Sequence, residues 1–303
     1  MNEAQQPAAT DDFRCGFIAI VGRPNVGKST LMNHLIGQKI SITSKKAQTT
    51  RHRVNGIETR ADAQYVFVDT PGFQTSHRNA LNDILNKNVK EALSGVDCVL
   101  FVLEAGRLSA ADREVIALLP KHRPVILVVN KSDRLKDKSE LAAFMLAANE
   151  AFAFTDMISV SAKHGLRLEE IFPLLRQHLP LSPPLYPEDM VTDRENRFLA
   201  AEIVREKLFR YLGEELPYTM TVEIEQFKVE KDGRFHLHTA ILVDKESQKG
   251  IVIGQKGERL KKIASEARVD MEKLFDTKVF LEVWVKVKSG WADDIRFLKQ
   301  FEG

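Results

Sequence analysis

The chain has 303 residues, of which 44% are hydrophobic and 28% are charged, and its formal net charge is +2. This composition is typical of a water-soluble globular protein, and the length is sufficient for two domains. The small net charge excludes an argument for nucleic-acid binding from overall charge, so such a partner must be inferred from local clusters of basic residues.

No apolar run approaches the roughly 18 residues that a membrane-spanning helix needs. The first residues are polar and include Asp11 and Asp12, which is unlike a secretory signal. Cys15 and Cys98 lie in apolar runs without metal-ligand spacing, which favours buried free thiols in a reducing compartment. We therefore expect a cytoplasmic protein that begins with a flexible leader at 1–13.

Short apolar runs alternate with helix-length stretches from residue 14 to about residue 180. Near-continuous apolar strands are predicted at 17–21, 65–68, 98–103, 125–129 and 157–160, with helices at 79–93, 110–119 and 139–152. Strands that are buried on both faces and joined by helices predict an α/β domain with a doubly wound, mostly parallel sheet. A further strand at 52–59 is expected at the edge of this sheet.

The segment 22–29 has the pattern G-x-x-x-x-G-K-S between a predicted strand and a predicted helix, which is the context of a phosphate-binding P-loop. Its glycines permit a tight turn, so that backbone N–H groups and the helix N-terminus converge on phosphate oxygens. Lys28 would reach the β- and γ-phosphates, and the Ser29 hydroxyl would hold Mg²⁺. The residues expected to bind the nucleotide here are Gly22, Arg23, Pro24, Asn25, Val26, Gly27, Lys28 and Ser29.

A D-x-x-G motif ends the predicted strand at 65–68, and α/β sheets place their ligand sites at such strand ends. Asp69 would hold the Mg²⁺ shell, and the Gly72 N–H would bond the γ-phosphate and so sense its loss. The residues expected to bind nucleotide in this motif are Asp69, Thr70, Pro71 and Gly72.

The segment 130–133 reads N-K-S-D and predicts the choice of base. The Asp133 carboxylate can accept hydrogen bonds from guanine N1–H and N2–H₂, whereas adenine offers no such pair of donors. Asn130 and the stem of Lys131 would brace the base. Backbone N–H groups near guanine O6 are expected from Ser161, Ala162 and Lys163. Together with the P-loop, these motifs predict a GTP/GDP site.

A polar loop at 46–52 separates the P-loop from the D-x-x-G motif. A threonine of this loop would ligate Mg²⁺ in the GTP state and leave it after hydrolysis, which makes the loop a predicted switch. Neighbouring threonines leave the choice open between Thr50, which we weight first, and Thr49. The predicted catalytic residues are Lys28, Thr50 and Gly72, which act through charge and position.

The residue after Gly72 is Phe73, where Ras-like proteins carry the glutamine that orients the attacking water. The sequence identifies no arginine that could act in cis, so we expect slow hydrolysis of GTP to GDP and phosphate. Asn25 could help to ligate K⁺ beside the phosphates, and K⁺ would then supply some of the charge that an arginine finger gives elsewhere.

The segment 181–193 is rich in proline and is expected to be a linker, because proline ends helices and stiffens the chain. We therefore expect one domain at 14–180, a second at 194–290 and a tail at 291–303. The second domain is predicted as helix 194–212, strand 219–230, strand 234–243, helix 248–253, a helix to about 275, and strand 278–287. This α-β-β-α-α-β order describes a small α+β domain.

A G-x-x-G loop joins the last two predicted helices. Such a loop lets the backbone approach a nucleic-acid backbone closely, and basic residues are concentrated around it, which favours single-stranded RNA recognition by a KH module. The residues expected to bind RNA are Gly254, Gln255, Lys256, Gly257, Arg259, Lys261 and Lys262. His236 and His238 alternate on a strand and share one face. The sequence offers no further ligand for a metal, so exposed sheet-face histidines are favoured.

The combined motifs resemble the Era family of bacterial GTPases, in which one G domain precedes a type II KH domain. The resemblance extends from residue 14 to about residue 294, and the single P-loop excludes relatives with tandem G domains. It implies binding to the 3′ end of 16S ribosomal RNA and a role in maturation of the small (30S) ribosomal subunit. It also implies partial, peripheral association with the inner membrane.

Two classes of function follow from this sequence. The first is a GTP-hydrolysing switch, expected to be a monomer, whose second domain reads RNA. The second is a regulatory GTPase whose second domain binds protein, with the basic loop a solvated charged face.

Overall fold

A computed structural model describes residues 12–44, 50–73, 80–135, 137–213 and 216–291. These residues form an α/β body with a six-stranded sheet and a smaller α+β body with a three-stranded sheet. Both predicted fold classes are confirmed. Of the helices in this described part, none has the length and hydropathy needed to cross a membrane.

The first body follows the alternating order that the sequence predicts. Its strands are β1 (Arg14–Val21), β2 (Val54–Thr59), β3 (Ala63–Asp69), β4 (Cys98–Glu104), β5 (Val125–Asn130) and β6 (Asp156–Ser159). Its helices are α1 (Lys28–Ile36), α2 (Ala80–Ser94), α3 (Ala110–Ile116), α4 (Lys138–Ala151) and α5 (Ile171–Arg176). The sheet order is β2-β3-β1-β4-β5-β6, and only β2 runs antiparallel to its neighbour. The expected edge strand is therefore present.

Apolar side chains cover both faces of this sheet, which explains why its strands are almost continuously apolar. Along β4, for example, Leu100 belongs to one core cluster and Phe101 to the other. Because β1, β3 and β5 run in the same direction, their carboxyl ends lie at one edge of the sheet. The loops that follow these ends carry the predicted nucleotide motifs.

The second body confirms the α-β-β-α-α-β order. It consists of α6 (Asn196–Tyr211), β7 (Met220–Val229), β8 (Phe235–Val243), α7 (Glu246–Ile253), α8 (Glu258–Phe275) and β9 (Val279–Val287). β8 pairs antiparallel with β7 and parallel with β9. The sequence predicts that Trp284 fills the core of the second domain and that Trp291 packs at its edge rather than stacking on a base. Trp291 is fully buried, which agrees with packing, whereas Trp284 is half-buried. The prediction for Trp284 is wrong, because its position on β9 alternates with those of the residues that pack against the helices.

The proline-rich segment is packed along the first body rather than projecting from it. Its backbone reaches β2, where the Ile57 N–H donates to Val191 O at 2.9 Å. The buried Gln64 side chain of β3 accepts from the N–H groups of Leu185 and Tyr186 at 2.8 and 3.0 Å. These bonds fix the path of the chain into α6.

Candidate functional site

The P-loop wraps tightly around the start of α1. Gly27 has a left-handed φ of 103°, and a Cβ there would overlap the side chain of Asn130. A Cβ on Gly22 would lie 2.5 Å from the carbonyl oxygen of Val102. Glycine is therefore required at both positions, because the loop packs against neighbouring strand ends.

The Lys28 side chain is buried inside the P-loop and bonds to its backbone. Its Nζ donates to the carbonyl oxygens of Gly22 and Arg23 at 3.1 and 3.2 Å, and the residue is only 6% exposed. Burial lowers the pKa of Lys28 to about 8, although the nearby Asp69 carboxylate opposes this effect. A polyphosphate in the cleft would favour the ammonium form, because it would add negative charge beside Nζ.

Three hydroxyl groups converge on the carboxylate that ends β3. Asp69 Oδ2 accepts from Ser29 Oγ at 2.8 Å, from Ser41 Oγ at 2.7 Å and from Thr50 Oγ1 at 3.4 Å. Ser29 Oγ and Thr50 Oγ1 are 2.9 Å apart. Asp69 Oδ1 is buried without a hydrogen-bond partner among the described residues. Burial raises the pKa of Asp69, while Lys28 and the hydroxyls lower it.

Asn130 connects the P-loop to the strand ends that would hold a base. Its Nδ2 donates to Val26 O at 2.8 Å, and its Oδ1 accepts from Lys131 N and Ala162 N at 2.8 and 2.9 Å. Asp133 Oδ1 accepts from Ser161 Oγ at 2.5 Å, and this bond lowers the pKa of Asp133. The asparagine therefore fixes the loops, while the aspartate stays ionised.

These motifs surround one cavity of about 1010 Å³, a volume typical of small-molecule sites. The predicted residues that line it are Pro24, Asn25, Gly27, Lys28, Ser29, Thr50, Gly72, Asn130, Lys131, Asp133, Ala162 and Lys163. The other described members of the predicted set lie outside this lining: Gly22, Arg23, Val26, Asp69, Thr70, Pro71 and Ser161. The Thr70 hydroxyl donates to Ile20 O at 2.9 Å, so it stabilises the strand ends. Thr49 lies outside the described residues.

The Arg23 side chain has partners behind the P-loop. Its guanidinium pairs with Asp112 and Glu104, each at 3.0 Å, and Glu104 also pairs with Lys131 Nζ at 3.1 Å. Burial would raise the pKa of Glu104, but its ion pairs with Lys131 and Arg23 hold that pKa below its ordinary value. Glu104, which sequence reasoning missed, thus joins the P-loop to the base motif. It ends β4, and that strand-end position was the available signal.

The second body contributes Phe209 and Arg210 of α6 to the cavity lining, and sequence reasoning missed both. Arg210 is half exposed and pairs with Glu206 at 3.0 Å. No sequence signal identifies these residues, because their position depends on how the two bodies pack together. The cleft therefore has an arginine of the same chain at its edge.

Residues before the switch segment and in its last described part contact the second body. Before the segment, Lys39 Nζ pairs with the buried Glu206 at 2.8 Å, and Thr43 N donates to the same carboxylate at 3.3 Å. Within the segment, the fully buried Arg51 donates to Met220 O at 2.8 Å and lies 6.0 Å from the ring centre of Phe209. A change in the conformation of this segment would thus alter the contact between the bodies.

The G-x-x-G loop lies on the surface between α7 and α8. Gly254 and Gly257 have φ values of 74° and 78°, and Lys256 between them has a φ of 50°. A Cβ on Gly254 would lie 2.7 Å from the Cβ of Arg259, whereas Gly257 faces open space. Gln255 and Lys256 are exposed, so their side chains and the adjoining backbone are accessible to a ligand.

The positive charge near this loop is unevenly balanced. Arg268 pairs with Glu272 at 2.8 Å and Lys249 with Glu246 at 3.5 Å. Within the described part of the chain, Lys256, Arg259 and Lys261 have no acidic partner, and Lys262 lies over the ring of Tyr211 at 4.7 Å. The predicted RNA-binding residues are therefore the least neutralised part of this basic cluster.

Two family models match the chain. One, described as "50S ribosome-binding GTPase", matches residues 17–131, and the other, "KH domain", matches residues 215–292. A "GTPase Era" from Chromobacterium violaceum is 70% identical over 95% of this chain and 97% of its own length. A "GTPase Era" from Neisseria meningitidis is 69% identical over 96% of this chain and 95% of its own length.

Solved structures match over the same extent. Aquifex aeolicus Era Y63A bound to GDP·AlF₄⁻ has 37% identity and a TM-score of 0.91, covering 95% of this chain and 99% of that one. Era in complex with MgGDPNP and nucleotides 1506–1542 of 16S ribosomal RNA has the same identity and TM-score, covering 95% and 98%. The P-loop cleft followed by a KH domain agrees with these matches over nearly the whole length, and the chain therefore belongs to the Era family of GTPases.

Proposed function

We propose that this GTPase is a switch that binds the 3′ end of 16S ribosomal RNA through its KH domain and assists maturation of the small (30S) ribosomal subunit. The observation that carries the proposal is the combination of a cleft lined by the nucleotide motifs and an exposed basic G-x-x-G loop in one chain. The solved Era complex that contains nucleotides 1506–1542 of 16S ribosomal RNA supports the choice of RNA.

In the cleft, the P-loop backbone from Gly22 to Ser29 would hold the phosphates, with Lys28 as the cation beside them. The Gly72 N–H would contact the γ-phosphate, because a Cβ on Gly72 would lie 2.8 Å from Pro24 N and the two loops are therefore adjacent. Asp133 would accept from guanine N1–H and N2–H₂, and the Ser161–Lys163 backbone would donate to O6.

The donors around Asp69 fit a magnesium ion, since Mg²⁺ prefers oxygen ligands and this carboxylate has an orphaned buried oxygen. Ser29 and Thr50 would ligate it, and Asp69 would hold its shell. Thr49 stays the alternative to Thr50. The bound ion would neutralise developing phosphate charge.

Hydrolysis without an activator is expected to be slow. Phe73 packs against the apolar core on one face of the sheet, and a phenyl ring cannot orient water. Lys28, Thr50 and Gly72 would then act through charge and positioning. Arg210 adds a cation at the edge of the cleft, where its guanidinium is paired with Glu206 of the same helix.

Asn25 supports K⁺ as an additional ion. It is exposed, has a left-handed φ of 66° and lines the cavity beside the expected phosphates. We expect faster GTP turnover in K⁺ than in Na⁺ at matched ionic strength, and the difference should disappear in Asn25→Ala. Equal turnover of the unaltered protein in both salts would remove K⁺ from the mechanism.

At the KH domain, the N–H groups at the start of α8 and Lys256 would meet RNA phosphates, while Arg259, Lys261 and Lys262 extend the charged surface. Ile251 is 47% exposed on α7 and offers an apolar contact beside the loop. The GTP state would influence this surface through the switch segment, because Arg51 within it and Lys39 before it both contact the second body.

The test is the affinity for a labelled RNA of nucleotides 1506–1542, measured by fluorescence anisotropy across salt concentrations. The double variant Gln255→Asp/Lys256→Asp should bind at least about 100-fold more weakly, because two carboxylates would face phosphates at close range. Lys121→Asp/His122→Asp makes the same change in charge on an exposed turn of the G domain and should bind normally.

Circular dichroism and basal GTP hydrolysis of both variants control for folding. Unchanged RNA affinity in the folded Gln255→Asp/Lys256→Asp variant would locate RNA binding elsewhere. Failure of the unaltered protein to prefer this RNA over a scrambled sequence would instead favour the alternative, a regulatory GTPase whose second domain binds protein.

We also propose a cytoplasmic, monomeric protein with peripheral contact at the inner membrane. Residues 1–11 and 292–303 lie outside the described residues, so this proposal depends on the family resemblance. Sedimentation of the purified protein tests the monomer. Cell fractionation with a salt wash tests the location, since a peripheral protein should leave the membrane fraction at high salt.

A further inference from the structure

Two histidines and a glutamate converge on the sheet of the KH domain, whereas the G-x-x-G loop joins two of its helices. His236 and His238 lie on β8 at alternate positions, with Leu237 of the helix-packed core between them. The parallel register of β9 pairs Glu282 with His238. His238 Nε2 lies 3.2 Å from His236 Nε2 and 3.1 Å from Glu282 Oε2.

These distances match the edges of a metal coordination tetrahedron. Ligand atoms at about 2.0–2.1 Å from Zn²⁺ in tetrahedral geometry are about 3.3 Å apart. One ligand atom from each of the three residues lies within 4.8 Å of the others. The cluster therefore needs only small side-chain rotations to surround one ion.

A metal also resolves the hydrogen-bonding conflict within the cluster. A ring nitrogen has one in-plane position, which holds either a proton or a lone pair. His238 Nε2 nevertheless lies within hydrogen-bond distance of both another imidazole nitrogen and a carboxylate. A cation placed between the three atoms would use a lone pair from each of them.

The surroundings restrict how the two rings can turn. Phe280 meets His236 edge-on at 4.5 Å between ring centres, and Trp284 meets His238 at 5.6 Å. On the far side of its ring, His236 Nδ1 lies 3.7 Å from Glu230 Oε1. This distance is longer than a hydrogen bond, and a small rotation of Glu230 would let its carboxylate orient the His236 ring and favour Nε2 as the ligand atom.

We propose that His236, His238 and Glu282 bind a divalent transition-metal ion of the zinc class, with water in the fourth position. Two imidazoles and one carboxylate suit Zn²⁺, whereas Mg²⁺ prefers an octahedral shell of oxygens. The site is distinct from the Mg²⁺ ligands of the nucleotide cleft. Its ion would join β8 to β9 and stabilise the KH sheet by binding only the folded state.

The test is calorimetric titration of Zn²⁺ into the full-length protein without an affinity tag, in the presence of saturating Mg²⁺ and GDP. One equivalent should bind tightly. His236→Gln/His238→Gln should bind at least about 100-fold more weakly, which exceeds the usual effect of losing a second-shell partner. His122→Gln removes an exposed histidine of the G domain and should bind as the unaltered protein does.

Cobalt(II) provides an independent reading of the site. The unaltered protein should give the intense visible bands of four-coordinate Co²⁺, and Glu282→Gln, a near-isosteric surface change, should weaken them without altering the circular dichroism. Zn²⁺ should raise the thermal unfolding midpoint of the unaltered protein but not of the double variant. Equal Zn²⁺ affinity in the unaltered protein and either ligand variant would overturn the proposal, as would the absence of stoichiometric binding.

Discussion

The two glycine loops of this protein both precede a helix, yet their surroundings are opposite. Gly27 at the start of α1 and Gly257 at the start of α8 both have left-handed φ values, 103° and 78°. A Cβ would overlap Asn130 at the first position and would meet only open space at the second. Lys28 is 6% exposed, whereas Lys256 is exposed on the surface.

This difference corresponds to two kinds of ligand. The enclosed loop has buried groups whose partners come from several strand ends, so a nucleotide can be held by a preorganised shell. The exposed loop offers backbone N–H groups and long basic side chains, which suits a polymer that continues past the site. We therefore expect added side-chain volume to disrupt ligand binding at the P-loop, and altered side-chain charge to disrupt it at the G-x-x-G loop.

The matched pair Gly27→Ala and Gly257→Ala tests this contrast most strongly. Left-handed strain costs about 1–2 kcal/mol at either position, and overlap with Asn130 adds about 1–3 kcal/mol at Gly27 alone. Gly27→Ala should weaken GDP binding about 1000-fold, a loss of about 4 kcal/mol. Gly257→Ala should leave GDP affinity unchanged. Fluorescent-GDP titration measures both, and similar losses in the two variants would contradict the comparison.

Asp133→Asn tests whether the nucleotide cleft also selects the base. The amide would place a donor where guanine also donates, so GTP affinity should fall about 100-fold and xanthosine triphosphate should gain affinity. Asp137→Asn is the control, because Asp137 is exposed and asparagine also caps helices well. Competition titrations measure the affinities for GTP and xanthosine triphosphate, and unchanged GTP affinity would remove Asp133 from the base pocket.

The sequence predicts the nucleotide site well, because each of its motifs directly follows a strand that is recognisable from its run of apolar residues. Asp69 and Asn130 end β3 and β5, and parallel strands bring their carboxyl ends together. Arg210 and Glu282 could not be predicted in the same way. Arg210 reaches the cleft through docking of two bodies, and Glu282 reaches His238 through the register of β8 and β9. Neither contact leaves a local pattern.

The smallest predicted effect concerns a contact between the two bodies. His52, which follows the switch threonine and Arg51, meets the ring of Phe198 edge-on at 5.1 Å. The pKa of His52 is lowered from 6.5 to about 4, mainly by burial; Glu202 opposes this shift, and Arg205, Arg194 and Arg51 contribute to it. Below pH 6.5 a separated state would therefore take up a proton that the docked state does not.

Docking should consequently be strongest above pH 6.5 and should weaken as the pH falls towards 4. At pH 5.5 the loss should be at most about tenfold in the docking equilibrium, or about 1.4 kcal/mol. Small-angle scattering between pH 7.5 and 5.5 should show expansion of the unaltered protein, and His52→Gln should be less sensitive to pH in this window. The window lies above the ordinary pKa of Glu202, so this carboxylate stays ionised throughout. An identical pH response in both proteins would exclude His52 as the titrating group, so that docking of the two bodies would not depend on its protonation.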